Sequence, residues 1–586
     1  MSADILFHLQ KAIFESFQLE KNDLQLETPP KKEFWDYAFG AFQLARDLRK
    51  SPLEIANTLY TELQKMTHPS IEKLELVGPY INIYVKKSLI IEQYREYLQN
   101  KSQTSQNKEI IIVDYIGANV GKPLHIGHMC TPNIGQALIN TYRALGYEVI
   151  GDSHIGDWGI IFWKLIVAYK KFGSNEELHK DAVEHLFQLY VKISDYAEKD
   201  TSLEQDFRDE FKLLSEWDPE SVELWKRFTS SSIDSMQKQL SRLGIEPTYN
   251  IGESFYEGIW LPKLWGYPDL RDDMHSIVKE LVKNWIATQN DDGSVGVVFP
   301  EELKIPSCML QKRDGTHGYL ASDLATIKYR MQNWAPEKIV YSVDVRQQLH
   351  LRQVFTIADM AGWLELWREW KAKTELFHAY NGFIALKDGA MSTRKWRIIK
   401  LGDLLDEAEK RAQDIVMAKR PDISPEEKED LGKKVGIGAI KYGYLKKSRE
   451  TDVIFDWDEF LTFEGNSGPY IQYAYVRAKN ILEKTGEGEE PLNDVEIQFE
   501  EEANLIKKIL TYAEALEETA KQYAPHILAR YIYELTKDFS AFYSTVPVVS
   551  EEDISKKNFR ISLISEFTQT LKSALQVLGI EVPEKM

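Results

Sequence analysis

From residue 109 the chain reads EIIIVDY, a short unbroken apolar run rich in β-branched side chains, which predicts a strand buried on both faces of a parallel sheet. The loop GANVGKPL follows, then a helical stretch that stops near Gly146, and EVIGDSHI predicts the next strand. Strand, glycine-bearing loop, helix and strand in that order open a doubly wound, Rossmann-like α/β fold, whose ligands lie beyond the carboxyl ends of the strands. A largely helical, acidic stretch from about Ala168 to Glu301 interrupts the pattern, after which KIVYSV and FHAYNGFIAL supply further strands. The interruption reads as an insertion between two halves of one domain at residues 106–400.

Ahead of that domain, FWDYAFGAFQLARDLRKSPLEIANTLYTELQKM spaces its apolar residues as helices do, and LELVGPYINIYV reads as strand, turn, strand. Residues 1–105 are therefore expected to form a small α+β domain, ended by the polar linker KSQTSQNK. Beyond Leu401, runs such as GDLLDEAEKRAQDIVMAK and NLIKKILTYAEALEETAKQYA predict amphipathic helices without any strand of substance. Residues 401–586 should be an all-α bundle with its core at about 465–586. The length of 586 residues agrees with several cores, because one core rarely grows past about 250–300 residues.

Composition adds limits. The 43% hydrophobic and 28% charged fractions suit a folded soluble protein, and no apolar run reaches the roughly 18 residues of a membrane span. The start MSADILFHLQKAIFE has neither a signal-peptide nor a transit-peptide pattern, so a cytoplasmic location is expected. With only Cys130 and Cys308 present, neither a disulfide framework nor a multi-cysteine zinc site is expected. The net charge of −19 argues against a chain that coats nucleic acid. Residues 386–400 run the other way, with five bases (Lys387, Arg394, Lys395, Arg397, Lys400) against Asp388 alone. Such a run is either an anion contact or a solvated face.

The sharpest chemical feature is His125-Ile126-Gly127-His128, where the loop after the first strand enters its helix. Imidazoles there can donate to phosphate oxygens, Gly127 leaves room for a nucleotide, and the helix amino end adds free amides. The same two histidines can also form half of a metal site or be ordinary core residues.

This tetrapeptide resembles the HIGH motif of class I aminoacyl-tRNA synthetases, and Met391-Ser392-Thr393-Arg394 resembles their mobile KMSKS loop, with Ala390 and Thr393 replacing its two lysines. Lys122 fits the arginyl branch, in which a lysine beside the first motif compensates for the missing one. The likeness runs from PLEIA near Pro52 to the closing GIEVPEKM. It implies an arginyl-tRNA synthetase using L-arginine, ATP with Mg²⁺ and tRNA(Arg), monomeric by family habit and with no tightly bound protein metal. His125, His128, Lys122 and Arg394 would carry catalysis. Gly127, His350, Met391, Ser392 and Thr393 would join them at ATP. The resemblance places the arginine pocket at Asp114, Asn119, Tyr319, Asp323 and Gln347. A guanidinium offers five donors in a rigid fork, which carboxylates bind through paired charged hydrogen bonds and which lysine cannot reproduce, so no editing site is expected.

Gly156-Asp157-Trp158-Gly159 resembles another family segment but continues with Ile160 and Ile161 where relatives carry threonine and glutamine. Ser467 to Arg477 resembles the start of the anticodon-binding domain, where Tyr470, Gln472, Tyr473 and Arg477 are types that stack on or hydrogen-bond to unpaired bases; the bland alternative is helix core. The first 105 residues resemble the domain that touches the outer corner of the tRNA. The rivals are less consistent with the residues. A cysteine-type synthetase lacks zinc ligands here, a simple nucleotidyltransferase needs no helical bundle, and an inactive RNA-binding paralogue would not keep both histidines, Lys122 and the pocket acids.

Overall fold

The computed structural model describes the chain except for residues 1, 22, 28–35, 67, 102–108, 259–266, 367–371, 388–398, 422 and 487–494. The expected linker, and Ala390, Met391, Ser392, Thr393 and Arg394, therefore lie outside the described residues.

Four parallel strands build the central sheet: β1 (Ile110–Asp114), β2 (Glu148–Asp152), β3 (Lys338–Tyr341) and β4 (Glu375–His378), side by side in the order β4-β3-β1-β2. Ile111, Ile112 and Val113 are fully buried, as their unbroken apolar run requires of a strand covered on both faces. Helix α1 (Cys130–Ala144) links β1 to β2, α2 (Tyr319–Trp334) leads into β3, and α3 (Gln348–Met360) links β3 to β4. Gly135 lets α1 approach the sheet closely, since a Cβ there would stand 2.6 Å from the Cβ of Tyr115. The chain steps from β1 to β2 on one side and returns to β3 on the other. The order reverses between β1 and β3, and such a reversal opens a crevice at the carboxyl ends.

The insertion is helical from Ile160–Phe172 to Pro219–Arg242, as its periodicity predicts. Three short antiparallel strands follow it, Thr288–Gln289, Val295–Val297 and Cys308–Gln311, too brief to show any alternation in the sequence. Other details depart from expectation. Tyr37–Gly40, read as helix, is a strand paired antiparallel with Tyr80–Val85, because the edge of a sheet is there to receive it. FHAYNGFIAL splits into β4 and a separate strand, Ile384–Leu386, which pairs in parallel with Val453–Phe455 in the region expected to hold helices alone. Gly382 marks the break, where the backbone of Thr451 would lie 2.7 Å from any Cβ.

The chain folds as two compact units, one of residues 1–103, 478–512 and 534–570 and the other of 104–477, 513–533 and 571–586. In the first, a three-stranded antiparallel sheet and its helices associate with late helices of the chain: Lys101 meets Glu566 at 2.8 Å, and Lys507 pairs with Asp36. Fully buried Arg560 donates to Glu502 at 2.8 Å. In the second unit, Lys441 of the helix Pro425–Leu445 is buried and donates to the carbonyl of Leu243, and burial pulls its ammonium down to about 7.

The crevice floor is tied by one side chain. Arg330 of α2 is fully buried, and its Nη2 donates to Asp114 at the end of β1 and to Asp152 at the end of β2, both at 2.7 Å. Its Nη1 donates to the Tyr341 hydroxyl, at the end of β3, at 3.2 Å. Arg330→Met would strand two buried carboxylates without a counter-charge, and is expected to cost about 3–5 kcal/mol of stability. Chemical denaturation followed by tryptophan fluorescence measures this, and an unchanged midpoint would remove Arg330 from its pinning role.

Candidate active site

His125 is the N-cap of a short 3₁₀ turn, Ile126–Met129, that runs directly into α1. Its Nδ1 accepts from the Gly127 amide at 3.1 Å, while Nδ1 of His128 accepts from the His125 amide at the same distance. The two rings lie 3.9 Å apart between centroids. With each Nδ1 occupied as an acceptor, the neutral tautomer carries its proton on Nε2, so both rings have an N–H left to donate. Burial keeps them uncharged. It lowers His125, helped by Arg346, and it takes His128 down to about 3, helped by His125 and Lys122. The Ser342 hydroxyl after β3 donates to the Thr131 carbonyl at 3.0 Å, which fixes the start of α1 against the carboxyl end of that strand.

Ile399 to Leu401 runs antiparallel to the histidine segment. The Ile126 amide donates to the Ile399 carbonyl at 3.1 Å and the Leu401 amide to that of Leu124 at 2.9 Å. The described residue chain thus resumes after the second motif directly beside the first. Lys122, expected at phosphates, has its Nζ 4.6 Å from the centroid of the Tyr190 ring, and burial lowers its ammonium.

A second cluster is acidic. Asp323 of α2 meets Nε2 of His350 at 2.5 Å and Nε2 of His154 at 3.7 Å. His350, expected near adenine, is thereby joined to a residue of the expected arginine pocket. Asp323 and Arg330 stand seven residues apart on α2, two turns along one face. Tyr319, at the amino end of α2, is more than half exposed. Asn119 is exposed on the loop after β1, and its backbone pairs with Gly156, where any Cβ would stand 2.2 Å from the amide oxygen of Asn119. Gln347 is exposed just ahead of α3.

Asp114 differs from expectation. It is only 4% exposed, and its Oδ2 accepts from Arg330 of the same chain. Burial raises its carboxyl despite Arg330. Burial also raises the Tyr341 hydroxyl, opposed by Arg330 and reinforced by the charges of Asp114 and Asp323. Asp114 and Tyr341 are thus both held by the same guanidinium.

Glu253 was not anticipated. Burial first, then the neighbouring charges of Asp157 and Asp323, push its carboxyl well above the usual range, and Glu253 in turn helps burial raise the Tyr319 hydroxyl. Asp157 is itself buried and accepts from the Ser254 amide at 2.9 Å and hydroxyl at 2.6 Å. Asp157 and Asp323 thus lie near enough to Glu253 for their charges to oppose its ionisation. In the sequence Glu253 is one acid among many in an acidic insertion, and nothing local sets it apart.

In the helix Gly468–Thr485 the expected RNA contacts divide. Gln472 is fully buried and its amide donates to the carbonyls of Lys434 and Glu581, at 3.0 and 2.8 Å. Tyr470 packs near Tyr533. Tyr473 is 39% exposed with the Arg477 guanidinium 4.8 Å from its ring centroid. Those two remain accessible in type and position.

Residues 91–457 match the family described as tRNA synthetases class I (R), catalytic domain; residues 471–586 match the DALR anticodon binding domain, and residues 3–85 the arginyl tRNA synthetase N terminal domain. An arginine-tRNA ligase of Clostridium botulinum is 36% identical over 581 residues, covering 98% of each chain. One of Fusobacterium nucleatum is 38% identical over 521 residues, covering 88% of this chain and 87% of its own. The fold matches the arginyl-tRNA synthetase of Thermus thermophilus with a TM-score of 0.79 at 24% identity, covering 100% of both chains. That of Plasmodium falciparum also gives 0.79, at 22% identity, covering 100% of this chain and 99% of the other. With its paired histidines beside the β1–β3 crevice and matches that span the sequence from end to end, the chain belongs to the arginyl-tRNA synthetase family of class I aminoacyl-tRNA synthetases.

Proposed function

We propose that the protein joins L-arginine to tRNA(Arg) in two steps. An oxygen of the arginine carboxylate attacks the α-phosphorus of ATP in line, and the bond to pyrophosphate breaks to leave arginyl-adenylate. A hydroxyl of the terminal ribose of tRNA then attacks the arginyl carbonyl and releases AMP. The reading rests on one observation above the rest: two neutral imidazoles whose Nδ1 atoms are spent on backbone amides, leaving both Nε2–H groups to donate where phosphoryl charge develops.

The guanidinium would be held by Asp323 and Glu253, with Tyr319, Asn119 and Gln347 lining the rest, while Asp114 fixes the floor through Arg330. His350 would orient Asp323. Lys122, Met391, Ser392, Thr393 and Arg394 would hold the phosphates, and Tyr473 with Arg477 would meet unpaired bases of the anticodon stem-loop. Mg²⁺ would arrive on the phosphates of ATP, as hard cations commonly do. The enzyme would act as a cytoplasmic monomer.

Charging assays with each of the twenty amino acids should give arginyl-tRNA alone, and arginine-dependent exchange of pyrophosphate into ATP should need tRNA. Full-rate exchange without tRNA would overturn the second statement, and charging with another amino acid the first. His128→Ala should lower kcat about 10²-fold, as removal of one preorganised donor does. Because His128 stays neutral far below pH 7, its NMR ring signals should not titrate between pH 5 and 8; a mid-range titration would contradict the donor assignment. Glu253→Gln should raise the KM for arginine by about 10- to 100-fold, the worth of one charged hydrogen bond, and leave the KM for ATP near its original value. An unchanged arginine KM would exclude Glu253 from the pocket.

A further inference from the structure

Away from both histidines of the first motif, three further ligand-type side chains meet: Glu257, His275 and His317, whose ligating atoms all lie within 4.8 Å of one another. They come from three separate segments. Glu257 ends the short helix Glu253–Tyr256, His275 lies in the first turn of the helix Met274–Lys283, and His317 pairs with Gln311 at the end of the strand Cys308–Gln311. One Glu257 oxygen is 3.9 Å from Nε2 of His275 and 3.8 Å from Nδ1 of His317. The two rings stand nearly perpendicular, 4.3 Å apart.

The decisive residue is His317. Its side chain is only 2% exposed, yet neither ring nitrogen has a hydrogen-bond partner among the described residues. A buried imidazole with both nitrogens unsatisfied is costly. A carboxylate just beyond hydrogen-bond range and a second imidazole beside it do not relieve that cost, but an ion between them does. Tetrahedral zinc with ligands at about 2.0–2.1 Å sets its donors roughly 3.3–3.4 Å apart, so the two separations to Glu257 close by about half an ångström and the histidine pair, within 4.8 Å, by at most about 1.4 Å. Asp273, whose carboxylate caps the second helix by accepting from the Ser276 amide at 2.7 Å, adds negative charge near both histidines.

We propose that Glu257, His275 and His317 form a binding site for a divalent transition-metal ion of the zinc type, with two imidazole nitrogens, one carboxylate and an open fourth position. Two imidazoles and an acid suit Zn²⁺ or Co²⁺ better than Mg²⁺, which prefers oxygen. Cysteine number argues only against a multi-cysteine zinc site, and this site needs no cysteine. Its placement gives it a purpose. His317 is two residues before Tyr319, and Glu257 is four residues after Glu253. The ion would clasp the two segments that carry those pocket residues, so this consequence rests on the arginine pocket proposed above.

The full-length protein, stripped with a chelator, is titrated with Co²⁺ and followed by visible absorption. Tetrahedral cobalt bands saturating at one equivalent and bleached by Zn²⁺ are expected. His275→Ala, at a half-exposed position outside the pocket, should weaken Co²⁺ binding by at least the about 10–100-fold lost when mere supporting residues of a metal are removed, with metal-free charging activity unchanged. His317→Asn should abolish the bands, its thermal unfolding serving as the check on folding. Absence of a saturable band, or equal affinity in His275→Ala, overturns the site. Zinc should also lower the KM for arginine; equal KM values with and without zinc overturn the clasp while leaving the site. Because the cobalt titration needs neither arginine nor tRNA, its failure and that of the proposed activity are distinguishable.

Discussion

Arg330 lies fully buried with one nitrogen shared between Asp114 and Asp152 and another on Tyr341, and through those bonds a single guanidinium fixes the carboxyl ends of three adjacent strands. The ends of β1 and β3 are where the strand order reverses and where a ligand crevice opens. A cation there is needed because two carboxylates at the ends of neighbouring parallel strands would otherwise repel in a medium that screens poorly. Arg330 also belongs to the helix that carries Asp323, so the bond that steadies the floor sets the position of the acid above it.

The site divides its electrostatics between two places. At the amino end of α1 the histidines are kept neutral, and their usefulness lies in directed N–H groups that need no proton from solution. Across the cleft, burial and the charges of Asp157 and Asp323 together hold the Glu253 carboxyl well above its usual range. In the proposed function, a cationic substrate there would favour the ionised carboxylates. A net charge of −19 does not forbid the proposed nucleotide site, because local arrangement decides the field at a few ångströms and net charge does not.

Much of this was legible from residue order. The β-branched run before the histidine motif predicted β1, glycine and proline marked the loop, and the histidines fell at a helix start because strand, loop and helix succeed one another there. Short elements were not legible. Tyr37–Gly40 and Val453–Phe455 become strands only because a partner edge is present, and three or four residues carry too little periodicity to betray it. Gln472 looked like a base contact by type and turned inward, where its amide donates to the carbonyls of Lys434 and Glu581.

Residue order alone sufficed for the parallel core and the family. Those follow from local periodicity and from contiguous motifs. Packing alone set that Arg330 reaches Asp114, that Asp323 lies near enough to Glu253 to raise its carboxyl, and that Glu257, His275 and His317 meet. Each of these is a meeting of residues tens to hundreds of positions apart, and the side-chain that neutralises or completes a buried group is fixed by packing, which no local stretch of chain encodes.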